Sequence, residues 1–198
     1  MSAIKTINDS EASQILSQLR DQSLSSGTVR RLVAKLTSTL TKYVLKNHKP
    51  GEKIAVIVVL RSGLAMADSF LAALPEDADT VTYHLGLFRE KQSLRPVEYY
   101  NKLPRKSDRI KRAYILDPLV ATGGTARAAI DILKDWGVEK ITLFSLLGSE
   151  TGINNVAHAW PEGAEICVGA IDKELDDKGY VKPGLGDIGD RLFGTALE

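Results

Sequence analysis

The chain has 198 residues, 43% of them hydrophobic, which suffices for one domain with a buried core. Its 26 basic and 25 acidic residues leave a formal net charge of +1, so there is no general electrostatic reason to expect a nucleic acid or an anionic membrane as partner. The single cysteine, Cys167, excludes an internal disulfide; it lies in an apolar run and reads as a buried thiol rather than a nucleophile. No signal peptide is recognisable and no apolar stretch is long enough to span a bilayer, so a soluble intracellular protein is expected. His48, His84 and His158 show no ligand spacing, so no protein-built transition-metal site is expected.

Residues 1 to about 8 read as a loose lead-in. The stretch Asn8, Asp9, Ser10, Glu11 resembles a capping box, and Ile15, Leu16 and Leu19 give a short helix its apolar face. After a break at residues 23–27, a second helix runs from about Thr28, with Val29, Val33, Leu36, Leu40 and Val44 at helical spacing. Residues 54–60 are a continuous, largely β-branched run, the mark of a strand buried on both faces in a parallel sheet. The run ends in Arg61, Ser62 and Gly63, and a helix follows. An arginine at the carboxyl end of a buried strand suits an anionic ligand, although a surface position would also accept it.

Residues 80–87 are the next strand. The polar stretch 92–108, with Tyr99, Tyr100 and Lys102, is long for a connection and is expected to be a lid; a short hairpin also fits it. Then comes the segment around which the chain is organised, residues 114–126. An apolar strand passes Asp117 and turns through Thr122, Gly123, Gly124 and Thr125 into a helix with Ala126, Ala129, Ile130 and Leu133 on one face. Such a turn aims backbone N–H groups and the positive end of the helix dipole at one point, which suits a phosphate. No lysine follows the glycines, so the nucleoside-triphosphate loop pattern is absent. The acid before the turn points to hydroxyls beside the phosphate, as in a sugar phosphate. The same residues also suit a plain strand–turn–helix with Asp117 capping the turn.

Strands are expected at 141–147 and 165–171, with a helix at about 151–160 between them. Strands alternating with helices give an α/β fold, a single domain with a mainly parallel central sheet flanked by helices. The tail carries a formal G-x-G-x-x-G at Gly184, Gly186 and Gly189. No strand precedes it and the chain ends too soon for a βαβ unit, so a dinucleotide site is rejected. A glycine-rich loop folded over a flat polar ligand fits better, and a tail that merely packs on the sheet is the plainer reading.

Together these segments resemble the uracil phosphoribosyltransferases. The stretch ILDPLVATGGTA resembles that family's phosphoribosyl-pyrophosphate signature, and GYVKPGLGDIGDRLFGT resembles its uracil-binding end. VVLRSGLAM, GLFRE and RPVEYYNKLP resemble family segments in the same order, and the likeness extends loosely back to Leu19, Arg20 and Asp21. The resemblance implies helices over 1–47, an α/β core over 54–171 and a base-binding tail over 172–198. It implies transfer of the phosphoribosyl group of 5-phosphoribosyl 1-pyrophosphate (PRPP) to uracil, giving UMP and pyrophosphate in pyrimidine salvage. Asp117, Arg61 and Arg89 are then the catalytic candidates. Arg61, Arg89, Asp117, Pro118, Leu119, Val120, Ala121, Thr122, Gly123, Gly124, Thr125 and Asp187 are candidates for binding PRPP. Val181, Gly186, Asp187 and Ile188 are candidates for the base pocket. Mg²⁺ is expected to travel with PRPP rather than in a protein-built site. A cytoplasmic homodimer is expected, with the nucleus left open as a location.

The chain departs from the family pattern in places. Leu119 and Val120 replace Met-Leu, Thr125 replaces Ser, and Glu90-Lys91 replaces a pair of acids. Lys182 stands for an apolar residue and Ile188 for Ala. The segment before Ile54 and the N-terminus are shorter than the family's, whose longer versions serve subunit contacts. Two other readings therefore accompany the first: a non-catalytic regulator that binds PRPP or a pyrimidine nucleotide, and a phosphoribosyltransferase for a related base in pyrimidine breakdown.

Overall fold

The computed structural model describes residues 2–89 and 96–195, apart from the side chains of Asn47, Arg89 and Pro96. The chain opens with β1 (Ala3–Thr6), α1 (Ser10–Leu19) and α2 (Ser26–Val44). The α/β core follows as β2 (Lys53–Leu60), α3 (Leu64–Ala72), β3 (Thr80–Arg89), β4 (Pro96–Asn101), β5 (Ile110–Leu116) and β6 (Leu119–Val120). It continues through α4 (Gly124–Trp136), β7 (Lys140–Ser149), α5 (Glu150–Ala157) and β8 (Ala164–Asp172). The tail forms β9 (Glu174–Leu175), β10 (Val181–Lys182) and α6 (Ile188–Phe193).

The sheet order is β1-β8-β7-β5-β2-β3-β4, with β6 added beside β7. Every pairing in it is parallel except β3 with β4. From Ile54 onward β2 is apolar, because both its faces are covered. Val56 and Val58 point into the layer of α1, α2 and α3, while Ala55, Ile57 and Val59 point into the layer of α4 and α5. From β2 the chain moves outward to β3, then returns to the other side of β2 as β5 and continues through β7 to β8. Right-handed crossovers in opposite directions put α3 and α4 on opposite faces. The reversal between β2 and β5 opens a crevice at their carboxyl ends, the usual ligand position in such sheets.

Some expectations change. The lead-in is ordered: β1 pairs with the outer edge of β8, and Ser2 Oγ donates to the Trp160 carbonyl at 3.1 Å. Its four residues are all exposed, so no apolar pattern announced it; pairing to a free edge creates the strand. The N-cap of α1 is Asp9, one residue later than the capping-box reading, and accepts from the Ala12 N–H at 3.0 Å. Residues 96–101 form strand β4, antiparallel to β3, which is the hairpin reading of the polar stretch; 92–95 lie outside the described residues. Cys167 is buried, and burial pushes its thiol up to about 12. Among the described residues no helix is long and apolar enough to cross a membrane.

Candidate active site

The turn at Thr122 to Thr125 is built by the change from β6 to α4. Gly123 takes a left-handed conformation, φ 83°, and α4 starts with no side-chain cap. Four other helices, α1, α2, α5 and α6, carry side-chain caps from Asp9, Ser25, Ser149 and Asp187. The leading N–H groups of α4 therefore have no side-chain acceptor, and with the helix dipole they favour an anion. α3 also starts uncapped, directly after Arg61, Ser62 and Gly63. Among the α-helices of the described residues, the two uncapped ones are the two that leave the strand ends beside the crevice.

The turn is held from behind by α5. Ser149 Oγ donates to the Ala121 carbonyl and accepts from the Gly152 N–H at 2.8 Å. Asn155 Nδ2 donates to the Thr122 carbonyl at 3.0 Å. The packing is close: a Cβ on Gly123 would lie 2.6 Å from the Gly152 carbonyl oxygen. The carbonyls of the turn are thus pulled back, leaving its N–H side toward the crevice. A concavity of about 200 Å³ lies there, lined by Asp117, Ser62 and the run Thr122 to Thr125.

Asp117 follows β5 and is 7% exposed. Ser62 Oγ donates to its carboxylate at 3.5 Å, and the Leu119 N–H also donates. These bonds do not offset the lost hydration: burial raises Asp117 from 3.8 to about 7. A buried carboxyl near neutrality, in a cleft beside an anion cradle, marks a functional position.

The concavity joins a wider cleft of about 1340 Å³. Arg61, Ser62 and Ala121 form its floor, Phe88 and Tyr99 one rim, and Tyr180 with residues 186–189 the other. Arg61 reaches across it, with Nη2 3.3 Å from Asp190 Oδ1 and Nη1 3.4 Å from Thr195 Oγ1. Its guanidinium also lies over Phe193, 5.6 Å from the ring centre. Asp187 caps α6 by accepting from the Asp190 N–H at 3.0 Å. Neighbouring Asp187 is the leading cause that raises the Tyr180 phenol above its usual range.

Most of the residues singled out from the sequence converge here. Asp117, Leu119, Val120, Ala121 and Thr122 to Thr125 line the small concavity; Arg61, Gly186, Asp187 and Ile188 line the wide cleft. Two do not reach it. Pro118 turns its carbonyl into the sheet, accepting from Leu146 and Leu147 N–H at 3.1 Å each. Val181 is buried in the core beneath the glycine loop. The backbone of Arg89 ends β3, but its side chain lies outside the described residues, as do Glu90 and Lys91. The sequence reading missed Ser149, Gly152 and Asn155, which brace the turn from about 30 residues away, and Tyr180. A second cleft of about 600 Å³ lies at the amino ends of the strands. Its Arg112 is paired with Glu52 at 3.2 Å, and its Lys140 is bonded to the Glu162 carbonyl at 2.7 Å.

A mainly parallel sheet that reverses beside an acid and a glycine turn defines a phosphoribosyltransferase fold. A hypoxanthine-guanine phosphoribosyltransferase from Bacillus anthracis shares it with a TM-score of 0.53 at 14% identity, over 74% of this chain and 81% of that one. The AQ2163 protein from Aquifex aeolicus superposes with a TM-score of 0.88 at 27% identity, over 98% of this chain and 100% of that one. The family model described as Uracil phosphoribosyltransferase matches residues 6–195. A Schizosaccharomyces pombe protein, provisionally named uracil phosphoribosyltransferase urg2, is 43% identical over 98% of this chain and 96% of its own. The uracil phosphoribosyltransferase of Finegoldia magna is 37% identical over 91% of this chain and 92% of its own. The chain belongs to the uracil phosphoribosyltransferase family.

Proposed function

We propose that this chain transfers the phosphoribosyl group of PRPP to N1 of uracil, giving UMP and pyrophosphate in pyrimidine salvage. The observation that carries the reading is the pairing of buried Asp117 with the uncapped N-terminus of α4 in one concavity, open to a cleft walled by the glycine loop. In the reaction the C1–O bond to pyrophosphate breaks, the C1–N1 bond forms and the N1 proton leaves. Thr122, Gly123, Gly124 and Thr125 hold the 5′-phosphate through N–H and hydroxyl donors. Asp117 accepts from the ribose hydroxyls, which favours its charged form, and that charge favours the electron-poor C1 of the transition state. Arg61, with Arg89, takes the pyrophosphate as its charge builds. The backbone of Gly186, Asp187 and Ile188 meets the edge of the base.

The described residues offer no cluster of three or more metal-ligating side chains, and the concavity offers the one carboxylate of Asp117. That donor set fits Mg²⁺, which takes one or two carboxylates and otherwise substrate phosphate oxygens and water. Asp117 would help hold Mg²⁺ together with PRPP, and the bound ion would supply charge neutralisation for the leaving pyrophosphate. A homodimer belongs to the same reading, and the exposed rings of Phe88 and Tyr99 offer apolar surface for a subunit contact; a cytoplasmic location goes with the salvage role. Incubation of purified protein with PRPP, Mg²⁺ and uracil, with UMP followed chromatographically, tests the proposal. UMP formation that depends on all three is expected. PRPP binding by calorimetry without turnover would instead favour the regulator.

A further inference from the structure

The base loop is gripped by a single ion pair. Arg20, at the end of α1, donates to Asp172 through both terminal nitrogens, at 2.7 and 2.8 Å. Asp172 is 9% exposed and ends β8. The pair then takes both backbone groups of one residue: the Gly184 N–H donates to Asp172 Oδ2 at 2.9 Å, and Arg20 Nη1 donates to the Gly184 carbonyl at 3.0 Å. Gly184 has a left-handed φ of 58°, and a Cβ there would lie 1.9 Å from the Val181 carbonyl oxygen, so its backbone alone is offered to the pair. Two residues further on, Gly186 begins the wall of the cleft. From the other side Arg191 donates to the Leu185 carbonyl at 2.6 Å and to the Leu19 carbonyl at 2.7 Å.

Asp172 also sits opposite Ser149 in the pairing of β7 with β8. Ser149 braces the phosphate turn at Ala121, and Asp172 braces the base loop at Gly184. One rung of the sheet thus supports both halves of the site. We propose that the Arg20–Asp172 pair is a positioning device for the base: it fixes the spacing between base loop and phosphate turn, acting on uracil through the backbone of residues 184–188. The proposal rests on the reading of the cleft as the uracil site. Lysine is a poor substitute for Arg20, because a point charge on a flexible stem cannot donate bidentately to Asp172 and also hold the Gly184 carbonyl.

The test compares the parent with Arg20→Lys, and with Arg20→Gln should the lysine variant not fold. Arg30→Lys is the control, since Arg30 holds the Leu192 carbonyl at 2.7 Å further along the tail. Steady-state kinetics and amide hydrogen exchange are read together. The expected result is a KM for uracil about tenfold higher in the Arg20 variant, with the KM for PRPP within about twofold. Exchange over residues 184–188 is expected to quicken about tenfold while the sheet is unchanged, and the control is expected to leave the KM for uracil alone. An unchanged KM for uracil, or equal rises in both KM values, overturns the proposal. If the parent makes no UMP, the uracil reading fails by itself. Exchange then decides the brace: local quickening keeps it, and unchanged exchange overturns it.

Discussion

The buried carboxyl of Asp117 is expected to cost the fold stability as pH rises toward neutrality. Burial raises its carboxyl from 3.8 to about 7. Below the lower value both folded and unfolded chains hold the proton, and the group costs folding nothing. Between the two values the unfolded chain releases its proton first, so stability falls as pH rises. Above about 7 the loss is complete; at about 1.4 kcal/mol per pH unit it amounts to about 4 kcal/mol. Asp117→Asn keeps an acceptor for the Leu119 N–H and the Ser62 hydroxyl but carries no charge. The variant is expected to be more stable than the parent by about 2–4 kcal/mol at about pH 8 and by almost nothing at about pH 4. Transfer activity is expected to fall about 100-fold or more. Urea unfolding midpoints at both pH values, with UMP formation measured on the same preparations, check this. A variant no more stable than the parent at the higher pH, or a gap that is the same at both, would refute the reasoning.

Three further outcomes follow from the geometry. Arg61→Gln is expected to raise the KM for PRPP about tenfold while changing stability by less than about 1 kcal/mol, because its ion pair with Asp190 is largely exposed; steady-state kinetics and thermal unfolding read the two effects. In Gly152→Ala the new Cβ would stand 2.1 Å from the Ala121 carbonyl oxygen. A stability loss of about 1–3 kcal/mol and weaker PRPP binding are expected, measurable by urea unfolding and calorimetry. Cys167, buried with its thiol pushed up to about 12, is expected to react with a disulfide reagent only after denaturant is added.

What could be read from the sequence was local. Residues 54–60 announced a doubly buried strand because every side chain on it must be apolar, and residues 122–125 announced a tight turn into a helix because strand, glycines and helix are contiguous. The exposed β1 carried no pattern of its own; only the free edge of β8 makes it a strand. β4 was legible only as the hairpin alternative for a polar stretch, since residues 98–101 are exposed and carry no alternating apolar pattern. The braces of the site were illegible for another reason. Ser149 meets Ala121, and Arg20 meets Asp172, across 28 and 152 residues. Nothing in a serine or an arginine reveals such a partner before the sheet sets its rungs. Val181, assigned to the base pocket by its place in a motif, has its side chain in the core under the loop that the motif describes.

The most direct test of the account is the choice of base. Purified protein, Mg²⁺ and PRPP are offered uracil, cytosine, hypoxanthine and guanine separately, and pyrophosphate release is measured with each. Release with uracil is expected, at a rate at least about 100-fold above that with the purine bases. Equal release with all four, or release with a purine alone, would contradict it.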